Sequence, residues 1–229
     1  MKGIRNSYKV IIRKYRRIKK GHVRLTQSSL FLVQPIVPTT SRYRFAVLDS
    51  DTPVLAKEIR LNINDEFITY DVAYNVLGDL LDPVGVVGNF HHTYAPVELD
   101  ASFAGIQGAW NGRLSILVNK ISRLENWDMK KHNKIQRTQW ANASAAVTII
   151  NAAQPSVDFA EDGGVDMQPM LTISGAKKTT IDLELDAAIV ATATGAWVST
   201  DTTALTITAT ELAFYFRGML AQNASVFQK

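Results

Sequence analysis

The sequence predicts an all-β body, an antiparallel sandwich or barrel, preceded by a basic arm with helical periodicity. Three observations carry this expectation. Apolar and polar residues alternate in about eight to ten short segments after Leu25, with few helical patterns between them. A helical spacing of apolar residues is found before Gly21 instead. Charge divides along the same line: residues 1–48 hold twelve Lys/Arg and no acid, a local charge of +12. The other 181 residues hold thirteen basic residues (25 − 12) and all 21 acids, a local charge of −8. A basic arm on an acidic body implies two parts with different tasks. The expected division is an arm over residues 1–29 and a β body over residues 30–229.

In the arm, Lys2, Arg5, Lys9, Arg13, Lys14, Arg16, Arg17, Lys19, Lys20 and Arg24 interleave with Tyr8, Ile11, Ile12, Tyr15 and Ile18. The apolar positions recur at three and four residues, so a helix gathers them on one stripe and leaves most cations on another face. Gly21 stands where such a helix can stop. So much like charge leaves the helix marginal in isolation.

The body begins where the period changes from 3.6 to 2. Arg42–Leu48 alternates as a strand between Pro38 and Pro53. Ile59, Leu61 and Ile63 alternate with Arg60, Asn62 and Asn64, predicting a half-buried strand. Phe67–Leu77 is aromatic and β-branched and is the expected partner of that strand, and Asp79–Gly88 reads as a loop. Asn111-Gly112 is the strongest turn signal, because this pair tolerates positive φ at both centres of a tight hairpin. Leu114, Ile116 and Val118 alternate behind it. Residues 120–139 break the alternation and read as a long loop or short helix. Strand patterns return at Ala146–Ile150, Met170–Ile173, Thr180–Leu185, Leu205–Ala209 and Leu212–Phe216, with Lys177-Lys178 at a turn.

Catalytic chemistry finds little to work with. Cysteine is absent, which excludes disulfides, thiolate metal sites and thiol nucleophiles. His91-His92 is the sole histidine pair, and its expected setting is a polar loop near Tyr94. No phosphate-binding glycine loop, nucleophile elbow or zinc-binding helix motif occurs. Asp158, Glu161, Asp162 and Asp166 cluster around Gly163-Gly164. Calcium is a weak candidate there, and an acidic surface loop is the default. The expectation is therefore no enzyme, no resident metal and no cofactor. There is no apolar run of about 18 residues and no secretory h-region, so neither a membrane-spanning helix nor a leader is expected.

The arm is an interaction element with three readings: phosphates of nucleic acid, an acidic neighbouring subunit, or an anionic membrane surface, in that order. Tyr8 and Tyr15 add stacking if the partner is single-stranded. A second basic patch, Lys120, Arg123, Lys130, Lys131, Lys134 and Arg137 beside Trp127 and Trp140, is diluted by Glu125 and Asp128. Its expected role is a solvated or subunit-facing loop.

The layout resembles the jelly-roll coat proteins of icosahedral viruses, a likeness carried by the arm, MKGIRNSYKVIIRKYRRIKKG over residues 1–21, and by the β body behind it. Tailless bacteriophages with an internal membrane use related folds. The resemblance implies a jelly roll forming a shell wall and self-assembly with other virion proteins. It also implies an arm facing the genome, an inner membrane or a neighbour, and a place in a virion assembled in the host cytoplasm. Two other classes compete. A cellular nucleic-acid-binding β domain explains the arm, yet should present basic and aromatic residues on its strands. A non-catalytic carbohydrate-binding sandwich could use Trp110, Trp127, Trp140 and Trp197, but leaves the arm unexplained.

Overall fold

The computed structural model describes residues 13, 15, 23–51, 58–82, 85–92, 108–132, 164–189, 192–196 and 204–224. Among them are ten strands: β1 (Arg24–Pro35), β2 (Arg42–Phe45), β3 (Glu66–Asp82), β4 (Gly85–His92), β5 (Gly112–Val118), β6 (Ile121–Asp128), β7 (Gly164–Ser174), β8 (Thr179–Leu185), β9 (Thr192–Ala196) and β10 (Ala204–Gln222). Every strand pairing is antiparallel. The expected all-β, antiparallel class is what the chain adopts.

The strands form two sheets. Sheet A runs β1-β10-β3-β4, with β7 also on β3 and β9 also on β10. Its two central strands pair with each other and are long enough to serve two further partners each along the other edge. The Glu66–Ala73 half of β3 pairs with β7 and the Val76–Asp82 half with β4. Similarly, Glu211–Gln222 of β10 pairs with β1 and Ala204–Thr208 with β9. Sheet B runs β2-β8-β5-β6. Apart from the β3–β4 and β9–β10 additions and the β5–β6 hairpin, consecutive strands alternate between the sheets.

One apolar cluster lies between the sheets. Sheet B sends in Tyr43, Phe45, Leu114, Ile116, Ile181, Leu183 and Leu185, and sheet A sends in Leu30, Leu32, Val72, Tyr74, Phe214 and Phe216. Phe45 meets Phe214 across the layers, edge to face, at 4.9 Å between ring centroids. The period-2 alternation in β5, β8 and β10 is thus the imprint of one dry and one outward face. Trp110, in a 3-10 turn at Gly108–Trp110, is core rather than platform and stands edge-on to Tyr74 at 6.2 Å. The Tyr74 hydroxyl donates to the Ala109 carbonyl at 3.0 Å.

Several expectations are corrected. Asn111-Gly112 is not a hairpin tip: Gly112 is the first residue of β5 and pairs with Leu185. The hairpin lies at Asn119-Lys120 between β5 and β6, where both residues have positive φ, 55° and 65°. Asp79–Asp82 continues β3 and Gly85–Gly88 belongs to β4, so the expected loop there is mostly strand. Ile121–Asp128 is strand as well, followed by a 3-10 turn at Met129–His132. Ile59, Leu61 and Ile63 do not share a dry face, since Leu61 is buried while Ile59 and Ile63 are half exposed. Their segment makes isolated bridges, Ile59 to Phe31 and Leu61 to Leu48, and does not pair with β3. Its backbone covers the edge of β1, exchanging two 2.9 Å hydrogen bonds between Ile59 and Phe31. Glu58 Oε1 then accepts from the Val33 amide at 2.9 Å. Such capping protects an edge that would otherwise template pairing with another chain. Ala146–Ile150 lies outside the described residues. β1 begins at Arg24, so the sheet starts before residue 30.

Candidate functional site

Of the arm's cations, Arg13 and Arg24 are described, and both are exposed. Of its apolar stripe, Tyr15 is described. Lys2, Arg5, Lys9, Lys14, Arg16, Arg17, Lys19, Lys20, Tyr8, Ile11, Ile12 and Ile18 lie outside the described residues. Arg13 and Tyr15 have helical backbone.

Tyr15 is 4% exposed and packs on Ile68, Ala221 and Ala224, with Val23, Leu25, Met170 and Met219 around them. This cluster sits on the side of sheet A away from the main core. Strand alternation explains the placement, because Phe67 enters the core and Ile68, next to it, must point outward. The Tyr15 hydroxyl donates to the carboxylate of Glu66, which is 1% exposed. Burial, then the hydrogen bond to Glu66 and its charge, hold the Tyr15 phenol far above the ordinary tyrosine range. Glu66 lies in register with Ala221 on one side and Ser174 on the other. No pattern in the sequence pointed to Glu66, since a carboxylate at a strand start reads as a solvated residue. Farther along the sheet, Arg217 donates to Asp71 in an ion pair, in register across β10 and β3.

The second basic patch is partly a strand edge. Lys120, Arg123, Lys130 and Lys131 are exposed along the β5–β6 hairpin and the turn after it. The Lys177-Lys178 turn joins β7 and β8, as expected, and meets the hairpin tip where the Asn119 amide donates to the Lys178 carbonyl at 2.8 Å. Lys131 Nζ stands 4.0 Å over the Trp127 ring. The Trp127 indole N–H donates to His132 Nε2 at 3.0 Å. Glu125 and Asp128 remain exposed on the same strand. Lys134, Arg137 and Trp140 lie outside the described residues, as does Trp197. Between the β6 and β7 edges is an open cleft of about 440 Å³, with Leu124, Trp127 and Met167 in its wall and Arg123 and Lys177 among its cations.

Metal chemistry gains no support. Asp158, Glu161 and Asp162 lie outside the described residues, and Asp166 is an exposed residue of β7. Among the described residues no three His, Asp or Glu converge on a point. His91 and His92 are in strand β4 rather than a loop. No helix among the described residues is long and apolar enough to cross a membrane.

Comparison with known protein families, with curated proteins and with solved structures finds no match.

Proposed function

We propose that the chain is a virion structural protein, a capsid subunit that self-assembles into an icosahedral shell. Its body is a jelly roll. The observation that carries the reading is strand order. With the β4 and β9 additions set aside, eight strands remain, β1-β10-β3-β7 in one sheet and β2-β8-β5-β6 in the other. Successive strands alternate between the sheets except at the β5–β6 hairpin. Folding one long antiparallel ribbon over itself produces this order, the pair of Greek keys that defines a jelly roll. The likeness of layout seen in the sequence is thereby supported at the level of connectivity.

The charge division supports the same reading. A shell subunit needs one surface for its neighbours and one for its contents, and an arm over residues 1–29 with ten Lys/Arg and no acid (+10), on a body with fifteen Lys/Arg (25 − 10) and 21 acids (−6), separates the two. In this reading the arm meets the genome, an inner membrane or an adjoining subunit, and the chain performs no catalysis. Its place is the virion, assembled in the host cytoplasm. The carbohydrate alternative is weakened by Trp110, which is 1% exposed and part of the core. A cellular nucleic-acid-binding domain shares the arm and is separated by assembly.

Negative-stain microscopy and sedimentation of the full-length chain test the proposal. Closed particles or capsomer-sized rings are expected, since shell contacts are symmetric and ring-closing. A monomer at every protein and salt concentration tried would sink it.

A further inference from the structure

The outward face of an antiparallel sheet in a two-layer sandwich is ordinarily wet. Sheet A departs from this. Ile68, Ala73, Asn75 and Ala221 lie off the inter-sheet core and are each 3% exposed or less. A face of this kind needs a cover, and Tyr15 is the described arm residue that supplies part of it.

The arm's sequence extends that single contact. On a helix, Tyr8, Ile11, Ile12 and Ile18 fall within about 60° of Tyr15, whereas Lys9, Arg13, Arg17 and Lys20 fall about 120–160° away. Arg13 is exposed while Tyr15 is buried, as that geometry requires. The seat also discriminates. A buried carboxylate oxygen needs a donor, and among apolar-bodied side chains tyrosine brings one where phenylalanine or isoleucine does not.

We propose that the outward face of sheet A, around Glu66, Ile68, Met170 and Ala221, is the docking site of the chain's own basic arm, and that docking presents the arm's cations as a fixed ridge to a polyanion. Docking within one chain is favoured by the tether. Val23 and Leu25, at the start of β1, belong to the same cluster as Tyr15. Residues 16–22 join the two, a span of at most about 25 Å when extended. So short a connection sets a local concentration in about the millimolar range. A micromolar neighbour competes poorly against that. The ridge deepens the shell reading by placing the polyanion against sheet A, but the docking itself does not depend on shell assembly.

The absence of cysteine makes the test clean. Spin labels at Arg13→Cys and Ala176→Cys, both exposed sites, report the arm-to-sheet distance by pulsed dipolar spectroscopy on the full-length chain. One narrow distance is expected, unchanged when the labelled chain is diluted into a large excess of unlabelled chain. A broad distribution, or a narrow one that disappears on dilution, overturns docking within the chain. Tyr15→Ala in the labelled background should broaden the distance, and a distance that stays narrow removes Tyr15 as the anchor. Tyr15→Ala in the otherwise unaltered chain keeps every cation, so its affinity for a single-stranded oligonucleotide should fall about tenfold through lost pre-organisation. Unchanged affinity overturns the ridge. Particle imaging of the same samples is read separately, so a chain that docks its arm but builds no shell disproves only the shell.

Discussion

Gly112 opens β5 opposite Leu185, and a β-carbon there would stand 2.9 Å from the Leu185 α-carbon. The requirement is for close approach of two strands, not for positive φ. Gly112→Val should therefore destabilise the body by about 1–3 kcal/mol, as overpacking against backbone does. Asn111 sits in an exposed bend whose hydrogen bonds come from its backbone, so Asn111→Ala should stay within about 0.5 kcal/mol. Urea midpoints of the two variants decide the matter, and equal sensitivity would restore the hairpin explanation. Tyrosines provide a second residue-scale prediction. Burial raises the phenols of Tyr74 and Tyr43, and Tyr15 is raised by burial and Glu66. Above pH about 10 the unfolded chain loses these protons and the folded chain retains them, so the unfolded state binds fewer protons and stability falls as pH rises. Stability is complete below the unfolded value and declines above it until each folded phenol itself titrates. Tyr74→Phe should make the alkaline decline shallower. An unchanged slope in that variant counts against the assignment of Tyr74.

At the scale of elements, the β5–β6 hairpin shows what a sequence conceals. Asn119 and Lys120 both hold positive φ, but Asn-Lys lacks the glycine that advertises such a turn. Lys120→Gly should relieve the left-handed strain and raise stability by roughly 0.5–1 kcal/mol in urea unfolding. A loss of stability there would mean that Lys120 contributes contacts outweighing its φ. Strands with one dry face were legible wherever alternation ran unbroken, as in Leu114–Val118, Ile181–Leu185 and Leu212–Phe216. Legibility failed in β3 because of a bulge. The register shifts between Thr69 and Asp71, so Phe67 and Val72 both point inward although an odd and an even position cannot do so in a regular strand. It failed again at Ile59–Ile63, where a segment pairs edgewise at single bridges and keeps one apolar residue of three. The candidate site was legible in part for the same kind of reason. Helical spacing singled out Tyr15 with its stripe, whereas Glu66 is defined by a partner 51 residues away. Glu58 and Arg60 escaped notice likewise. They form a 2.6 Å ion pair whose side chains are 0% and 3% exposed. Arg60→Ala should cost about 3–5 kcal/mol, because it removes a buried cationic partner of the buried Glu58 carboxylate. A cost below about 1 kcal/mol, the value of an exposed pair, would show that solvent reaches the site.

For the whole molecule, the arrangement of charge sets the final prediction. The chain carries +4 overall, yet the arm alone supplies Lys2, Arg5, Lys9, Arg13, Lys14, Arg16, Arg17, Lys19 and Lys20 before β1 begins. Counterions released from a polyanion scale with the cations that meet it, so affinity should fall steeply with salt. If six or more of these residues meet duplex phosphates, log affinity against log salt has a slope of about −5 or steeper. Replacing Arg13, Arg16, Arg17 and Lys20 together by glutamine preserves Tyr15 and the apolar stripe, and with them the contact on sheet A. That variant should lose about 0.9 in slope for each replaced residue that met a phosphate, or about 3.6 in all. Tyr15→Ala is the complementary change, weakening binding while leaving the cations and hence the slope in place. Titrations of both variants against one duplex at several salt concentrations separate charge from placement. A parent slope near zero, or a glutamine variant as salt-sensitive as its parent, would show that the cations are not the contact. Binding would then rest on the apolar stripe, and the ridge of charge would be incidental to the arm's role.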